Sequence, residues 1–157
     1  MKILKTIAVG VLLSVCMFPA AAQQNAKSLP IGQYDFNKPK LFKELPDRIK
    51  VPLKNFDDVF DFEVGKTVDL PFASNFQFAG TVVSKAEDAQ ANVKSIVIKS
   101  TTNVGATLAL SRIINPDNTI TYRGRIMSFK HGDAYEIANE NGLYYFVKKG
   151  LYDLYEE

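Results

Sequence analysis

The chain has 157 residues, with 19 lysines and arginines against 17 acidic residues, one cysteine and one histidine. Two of the lysines, and no acid, precede residue 23, so residues 23–157 carry 17 basic and 17 acidic side chains. This balance argues against a nucleic-acid-binding protein, which needs a broad basic surface. One cysteine excludes an internal disulfide, and so few nitrogen and sulfur ligands argue against a structural zinc site.

Residues 1–22 have the pattern of a secretory signal peptide. Lys2 and Lys5 give a positively charged start, an uncharged apolar run follows from Ile7, and three alanines ending at Ala22 form a small-residue cleavage site. The apolar run is shorter than the ~20 residues that a membrane-spanning helix needs. We therefore expect cleavage near Ala22, export to the periplasm or the cell exterior, and no transmembrane segment in the mature chain.

Lipid attachment at Cys16 is the alternative export route. The segment Leu13–Cys16 loosely resembles the motif that ends in a lipidated cysteine. Val15 is larger than the residue preferred before such a cysteine, and Met17-Phe18 is apolar where a tether would be polar. We therefore expect lipid anchoring to be the less favoured route.

Residues 23–55 are predicted to form an extended, proline-rich N-terminal arm. Four of the seven prolines lie between residues 30 and 52, where each removes a backbone donor and disfavours helix in the residue before it. We expect at most one short helical turn around Leu41–Leu45. The ordered core is expected to begin near Phe56.

The segment Phe56–Val64 alternates between apolar and acidic residues. This alternation predicts an edge strand with a charged outer face. Its four carboxylates between Asp57 and Glu63 make calcium an alternative, but their spacing does not match an EF-hand loop. We therefore predict no metal site.

The middle of the chain predicts strand, a short helix and strand again. Period-two alternation predicts a strand over 75–84, and the β-branched run predicts another over 93–101. Between them, Ser84 and Glu87 have capping-box spacing, which predicts one or two helical turns.

Two hairpins and a final strand are predicted in the last third of the chain. The first hairpin joins 106–114 to 119–129, because Pro116 and Asn118 suit a turn. The second joins 134–138 to 143–149 around a turn that ends at Gly142. The final strand covers 151–155. With these elements, residues 56–157 are expected to form a single, mainly β domain: an antiparallel sandwich or small open barrel of about seven strands, with at most one or two short helices.

His131 is the only imidazole, so any serine–histidine–aspartate catalysis must use it. Ser128 and Asp133 are close in sequence, but no Gly-x-Ser-x-Gly motif is present. We interpret His131 as a loop residue and predict no catalytic residue and no cofactor.

Two groups of side chains are candidates for binding. Three arginines around the first hairpin are expected on one sheet face, where their guanidinium forks suit a carboxylate, phosphate or sulfate. Tyrosines crowd the C-terminal region, and their apolar bodies and polar tips suit recognition surfaces. The candidates are Arg112, Arg123, Arg125, Tyr144, Tyr145 and Tyr152.

Three function classes remain. The favoured one is an exported, non-enzymatic binding module with a protein or glycan partner, such as an inhibitor, adhesion or envelope component. The first alternative is a β-barrel carrier of a small apolar ligand, lined by some of the eleven phenylalanines. The second is a small hydrolase that uses a pair of carboxylates.

Overall fold

A computed structural model describes residues 35–155, which contain eight antiparallel strands in one sheet. The strands are β1 (Arg48–Val51), β2 (Thr67–Ala73), β3 (Phe76–Asp88), β4 (Val93–Ser100), β5 (Thr107–Ile114), β6 (Ile120–Met127), β7 (Asp133–Glu140) and β8 (Leu143–Gly150). Helix α1 (Leu53–Asp57) and a 3-10 turn (Asp58–Asp61) connect β1 to β2, and a C-terminal 3-10 turn (Tyr152–Tyr155) follows β8.

The sheet has the order β1-β8-β7-β6-β5-β4-β3-β2. Every strand from β2 to β8 therefore pairs with its neighbour along the chain, and β1 pairs with β8. The result is a nearly closed, barrel-like sheet, and strands make up 53% of the described residues. This confirms the predicted mainly β fold; of the two predicted architectures, sandwich and open barrel, the structure has the barrel-like one, with eight strands rather than about seven.

The inner face of the sheet holds an aromatic core. Buried and exposed side chains alternate along the strands, as in a sheet with one face turned away from water. Phe56, Phe72 and Phe146 are fully buried, and the ring centroids of Phe72 and Phe146 lie 5.0 Å apart. Each such ring contributes roughly 1.5–3 kcal/mol to stability by leaving water.

The predicted edge strand over 56–64 is wrong, because residues 56–61 are helical and the rest of the segment is not a strand. Phe56 and Val59 are both fully buried and lie three residues apart, which is one turn of a helix. The Phe56 ring stacks on Tyr122, with centroids 5.4 Å apart. Helix α1 and the following 3-10 turn therefore place side chains in the barrel interior rather than at a sheet edge.

The helical turns predicted after Ser84 are also wrong, since β3 continues to Asp88. A register shift at Val83 is followed by regular pairing with β4, from Ser84↔Val97 to Asp88↔Val93. Glu87 forms an ion pair with Lys94 across the two strands at 3.0 Å. Cross-strand pairing has prevailed over the local capping-box pattern.

Both predicted hairpins are present. β5 and β6 are joined by Asn115–Asn118, with Asn118 at φ 63°. β7 and β8 meet at Asn141 and Gly142, both at positive φ. The predicted strand over 151–155 is wrong: it is the C-terminal 3-10 turn, in which Asp153 accepts a hydrogen bond from the amide of Gly150 at 2.9 Å.

The ordered core begins earlier than Phe56. Phe42, Ile49 and Val51 are all buried, and the last two belong to β1. The backbone amides of Leu41 and Phe42 donate to the Asp133 carboxylate at 2.6 and 2.8 Å. The expected signal peptide, Cys16 and the cleavage site near Ala22 lie outside the described residues. Within residues 35–155, no helix is long and apolar enough to cross a membrane.

Candidate functional site

A depression on the outer face of the sheet brings Arg123 and Arg125 together. Both are exposed, because they alternate on β6 with the inward-facing Tyr122 and Ile126. The depression has a volume of about 400 Å³. Its lining consists of Ala109, Ser111, Arg123, Gly124, Arg125, Glu136 and Leu154.

Small side chains form the floor of this depression. In the register of β5 and β6, Ser111 lies opposite Arg123 and Ala109 lies opposite Arg125. A Cβ atom added to Gly124 would collide with the backbone oxygen of Ala109 and lie 3.0 Å from the Leu110 Cα. The two strands therefore approach closely here, and the two arginines rise above the floor.

The depression lies where β6 and β7 separate. Their register contains only the pairs Arg125↔Glu136, Ile126↔Tyr135 and Met127↔Ala134, although β6 extends back to Ile120 and β7 on to Glu140. Glu136 forms one wall beside the end of this ladder. Leu154, from the C-terminal 3-10 turn, provides an apolar contact at the rim.

Neither arginine of the depression takes part in an ion pair with the described residues. Among the described residues, the ion pairs are Arg48–Glu140, Lys94–Glu87, Arg112–Asp57 and Lys148–Asp47. Two exposed guanidiniums on one face can therefore bind an external anion without first breaking an ion pair within the protein. Each presents a planar fork that matches a carboxylate or a similar oxyanion.

Arg112 does not join Arg123 and Arg125, so the expected group of three arginines on one face is wrong. Arg112 lies opposite Tyr122 in the register and therefore faces the barrel interior. Its Nε lies 3.5 Å from the Asp57 carboxylate, which also accepts a hydrogen bond from the Tyr122 hydroxyl. Burial and that bond raise the pKa of Tyr122 to about 12. Arg112 helps to hold α1 against the sheet.

The three candidate tyrosines lie in three different environments. Tyr144 is buried and bonds the backbone of β6. Tyr145 is on the outer face, with the Arg48 guanidinium 4.5 Å from its ring centroid. Tyr152 accepts a hydrogen bond from the amide of Asp35 at 2.9 Å. They do not form one surface, and Tyr144 cannot contact a partner directly.

His131 occupies a loop between β6 and β7. Its Nδ1 lies 2.9 Å from the Ser128 hydroxyl, but Ser128 is only 1% exposed. The Asp133 carboxylate is occupied by the two amides of the arm. These contacts are typical of a structural loop, since the hydroxyl has no room to meet a substrate.

Within residues 35–155, no cluster of three or more histidine, cysteine or acidic side chains could hold a metal ion. Comparison of the chain with models of protein families, with curated proteins and with solved structures found no match in any of the three. The geometry of the depression is therefore the main guide to its role.

Sequence reasoning found Arg123 and Arg125 but missed the other residues of the depression. Ser111 and Ala109 could have been found by counting pairs outward from the predicted Asn115–Asn118 turn, because a hairpin turn sets the register. Glu136 comes from a different hairpin. No sequence signal identifies Leu154, whose position depends on the unexpected 3-10 turn.

Proposed function

We propose that this protein is an exported, non-enzymatic binding module that holds an extended, acidic segment of a partner protein in the Arg123–Arg125 depression. The observation that carries the proposal is the pair of exposed arginines, outside any ion pair with the described residues, above a floor of small side chains. Export rests on the signal-peptide pattern of residues 1–22.

The spacing of the two arginines favours an extended peptide as the ligand. Alternate residues on a strand lie roughly 6.6 Å apart along its axis. An extended peptide repeats its side chains on one face at the same interval. Two acidic residues at alternate positions of the peptide can therefore meet Arg123 and Arg125 together. Ala109 and Ser111, which lie opposite the arginines on β5, have small side chains that leave room for the peptide backbone.

Binding of this kind is expected to be weak and sensitive to salt. Exposed ion pairs contribute only about 0.2–1 kcal/mol each, and dissolved ions screen them. Glu136 lies opposite Arg125 in the register, so its carboxylate partly offsets the attraction of Arg125 for an acidic residue of the ligand and weakens binding further.

A binding surface is favoured over the two alternative functions. Aromatic rings occupy the barrel interior, including Phe56, Phe72, Phe76 and Phe146, so the space that a carrier would need for a ligand is filled by side chains. Asp133, the one buried carboxylate of the described residues, accepts hydrogen bonds from two arm amides and is not available to a substrate. Both features support a role for the outer face.

The test is fluorescence anisotropy with a labelled peptide of alternating glutamate and threonine. The double variant Arg123→Gln/Arg125→Gln is expected to bind about tenfold more weakly, since two exposed ion pairs are lost. Arg48→Gln is the matched control, because Arg48 is also an outer-face arginine but already pairs with Glu140 at 2.7 Å.

Added salt is expected to weaken binding by the wild-type protein and the control alike. Circular dichroism of each variant establishes that the fold is intact. Equal affinity of the wild type and the double variant, or no peptide binding by the wild type at low salt, would contradict the proposal.

A further inference from the structure

One end of the barrel carries the most exposed large apolar side chains of the described residues. Phe36 and Val104 are each 76% exposed, and Phe129 is 71% exposed. They lie on three separate segments: the arm, the β4–β5 loop and the β6–β7 loop. We call this region the loop end and define it as residues 36–43, 99–106 and 128–132.

Specific contacts hold the three segments of the loop end together. Lys38 Nζ donates to the carbonyl oxygen of Phe129 at 2.8 Å, and the amide of Gly132 donates to the carbonyl oxygen of Pro39 at 2.9 Å. A Cβ atom added to Gly105 would lie 3.2 Å from the Ser128 hydroxyl oxygen. The exposed apolar side chains are therefore presented from one fixed platform.

The loop end is also basic, although residues 23–157 as a whole are balanced. Its three segments contain no acidic residue. They contain five lysines, namely Lys38, Lys40, Lys43, Lys99 and Lys130. The acids that adjoin the segments are Asp35, Glu44 and Asp133, and Asp133 is buried and bonded to arm amides. The positive charge of the loop end is therefore only partly offset.

We propose that the loop end docks on a membrane surface with anionic headgroups. Separate apolar tips between lysines suit a lipid interface, because apolar side chains enter the boundary between headgroups and acyl chains while lysines attract anionic lipids. Such a soft interface accepts protruding tips such as Val104 and Phe129 without a matching cavity. Lys130 follows Phe129 in sequence, and Lys40 lines a depression together with Asn103, the residue before Val104, so both can meet headgroup phosphates.

This surface is independent of the proposed peptide site. The Arg123–Arg125 depression is on the side wall of the barrel and shares no residue with the loop end. Vesicle binding can therefore fail while peptide binding remains, and the reverse also holds.

A fluorescent reporter tests the proposal at one site, since the chain contains no tryptophan. Phe129→Trp places an indole at the loop end, and Leu143→Trp places one at the opposite end, on a side chain that is 45% exposed. With vesicles of phosphatidylcholine and phosphatidylglycerol, the first indole is expected to shift its emission to the blue and to be quenched by brominated lipid. The second is expected to show neither change.

This reporter is used in the full chain, because it separates docking of the loop end from any membrane binding by residues 1–22. Lys40→Glu/Lys130→Glu in the Phe129→Trp background is expected to weaken vesicle binding about tenfold, whereas the control Lys50→Glu/Lys66→Glu is not. An unchanged emission spectrum, equal response to pure phosphatidylcholine vesicles, or no effect of the first charge reversal would overturn the proposal. A blue shift of the indole emission on addition of the acidic polypeptide polyglutamate, without any response to vesicles, would overturn it in favour of a protein partner.

Discussion

The hydroxyl of Tyr144 accepts a hydrogen bond from the backbone amide of Tyr122 at 3.2 Å and reaches the carbonyl oxygen of Ile120 at 3.5 Å. Tyr144 is on β8 and Tyr122 is on β6, while β7 runs between these strands in the sheet. The contact lies where the β6–β7 ladder has already ended. A side chain thus satisfies a buried backbone group that would otherwise lack a partner.

Tyr144→Phe is expected to lower the free energy of unfolding by about 1–3 kcal/mol, because the buried Tyr122 amide loses its acceptor. Urea denaturation measures the change. Tyr145→Phe is the matched control. Tyr145 follows Tyr144 on β8 but faces outward, and the substituted ring can still pack against Arg48. Equal stability of the two variants would contradict the role of the Tyr144 hydroxyl.

Asp133→Asn is expected to loosen the arm. Asp133 is 2% exposed, and its two carboxylate oxygens accept from the amides of Leu41 and Phe42. Asparagine offers only one acceptor oxygen, so one buried amide is left without a partner, at a cost of about 1–3 kcal/mol. Limited proteolysis should cleave the variant earlier between residues 35 and 47, whereas the exposed Asp58→Asn should behave as wild type. Unchanged cleavage would show that the carboxylate does not hold the arm.

Stability is expected to fall at alkaline pH. Burial raises the pKa of Tyr122 and of Tyr135 from 10 to about 12. The unfolded chain releases these protons near pH 10, so their stabilising effect is complete below pH 10 and is lost as the pH rises to about 12. Urea denaturation at several pH values measures this loss, and Tyr135→Phe should reduce it. The ionisation of the tyrosines can be followed by absorbance, and a titration in which every phenol ionises near pH 10 would contradict the raised pKa values of Tyr122 and Tyr135.

Gly124→Ala is expected to disrupt the pairing of β5 and β6. The added Cβ would collide with backbone atoms of Ala109 and Leu110, which cannot move aside as a flexible side chain would. Overpacking of this kind typically costs about 1–3 kcal/mol. Thermal unfolding measures the loss, and Ala138→Ser is the control for a small change on the outer face. A melting temperature equal to that of wild type would mean that β5 adjusts.

Local signals predicted the hairpins well. Pro116 and Asn118 define one turn, and Gly142 takes positive φ in the other. These residues act through their own backbone preferences, so no distant contact is needed to read them. Arg123 and Arg125 were placed on one face for the same reason, since strand alternation is local.

Features that depend on distant partners were not predictable. Phe56–Val64 fits both a strand and a helix, and only its packing against Tyr122 and Phe146 distinguishes them. The inward position of Arg112 follows from its pairing with Tyr122. No local pattern predicts β1, because its partner is the last strand along the chain. The separation of β6 from β7 likewise depends on how the β5–β6 hairpin packs beside the β7–β8 hairpin, because β6 and β7 pair over only three residues.

The pairing of β1 with β8 has a consequence for the order of folding. Strands β2 to β8 can assemble as successive hairpins, because each partner is the next strand along the chain. β1 comes first in the chain, yet its only partner in the sheet is residues 144–147 of β8. Such non-local closure is slow compared with hairpin formation. The first strand of the chain is therefore expected to be the last to join the sheet, so that Ile49 and Val51 become buried only once β8 has formed.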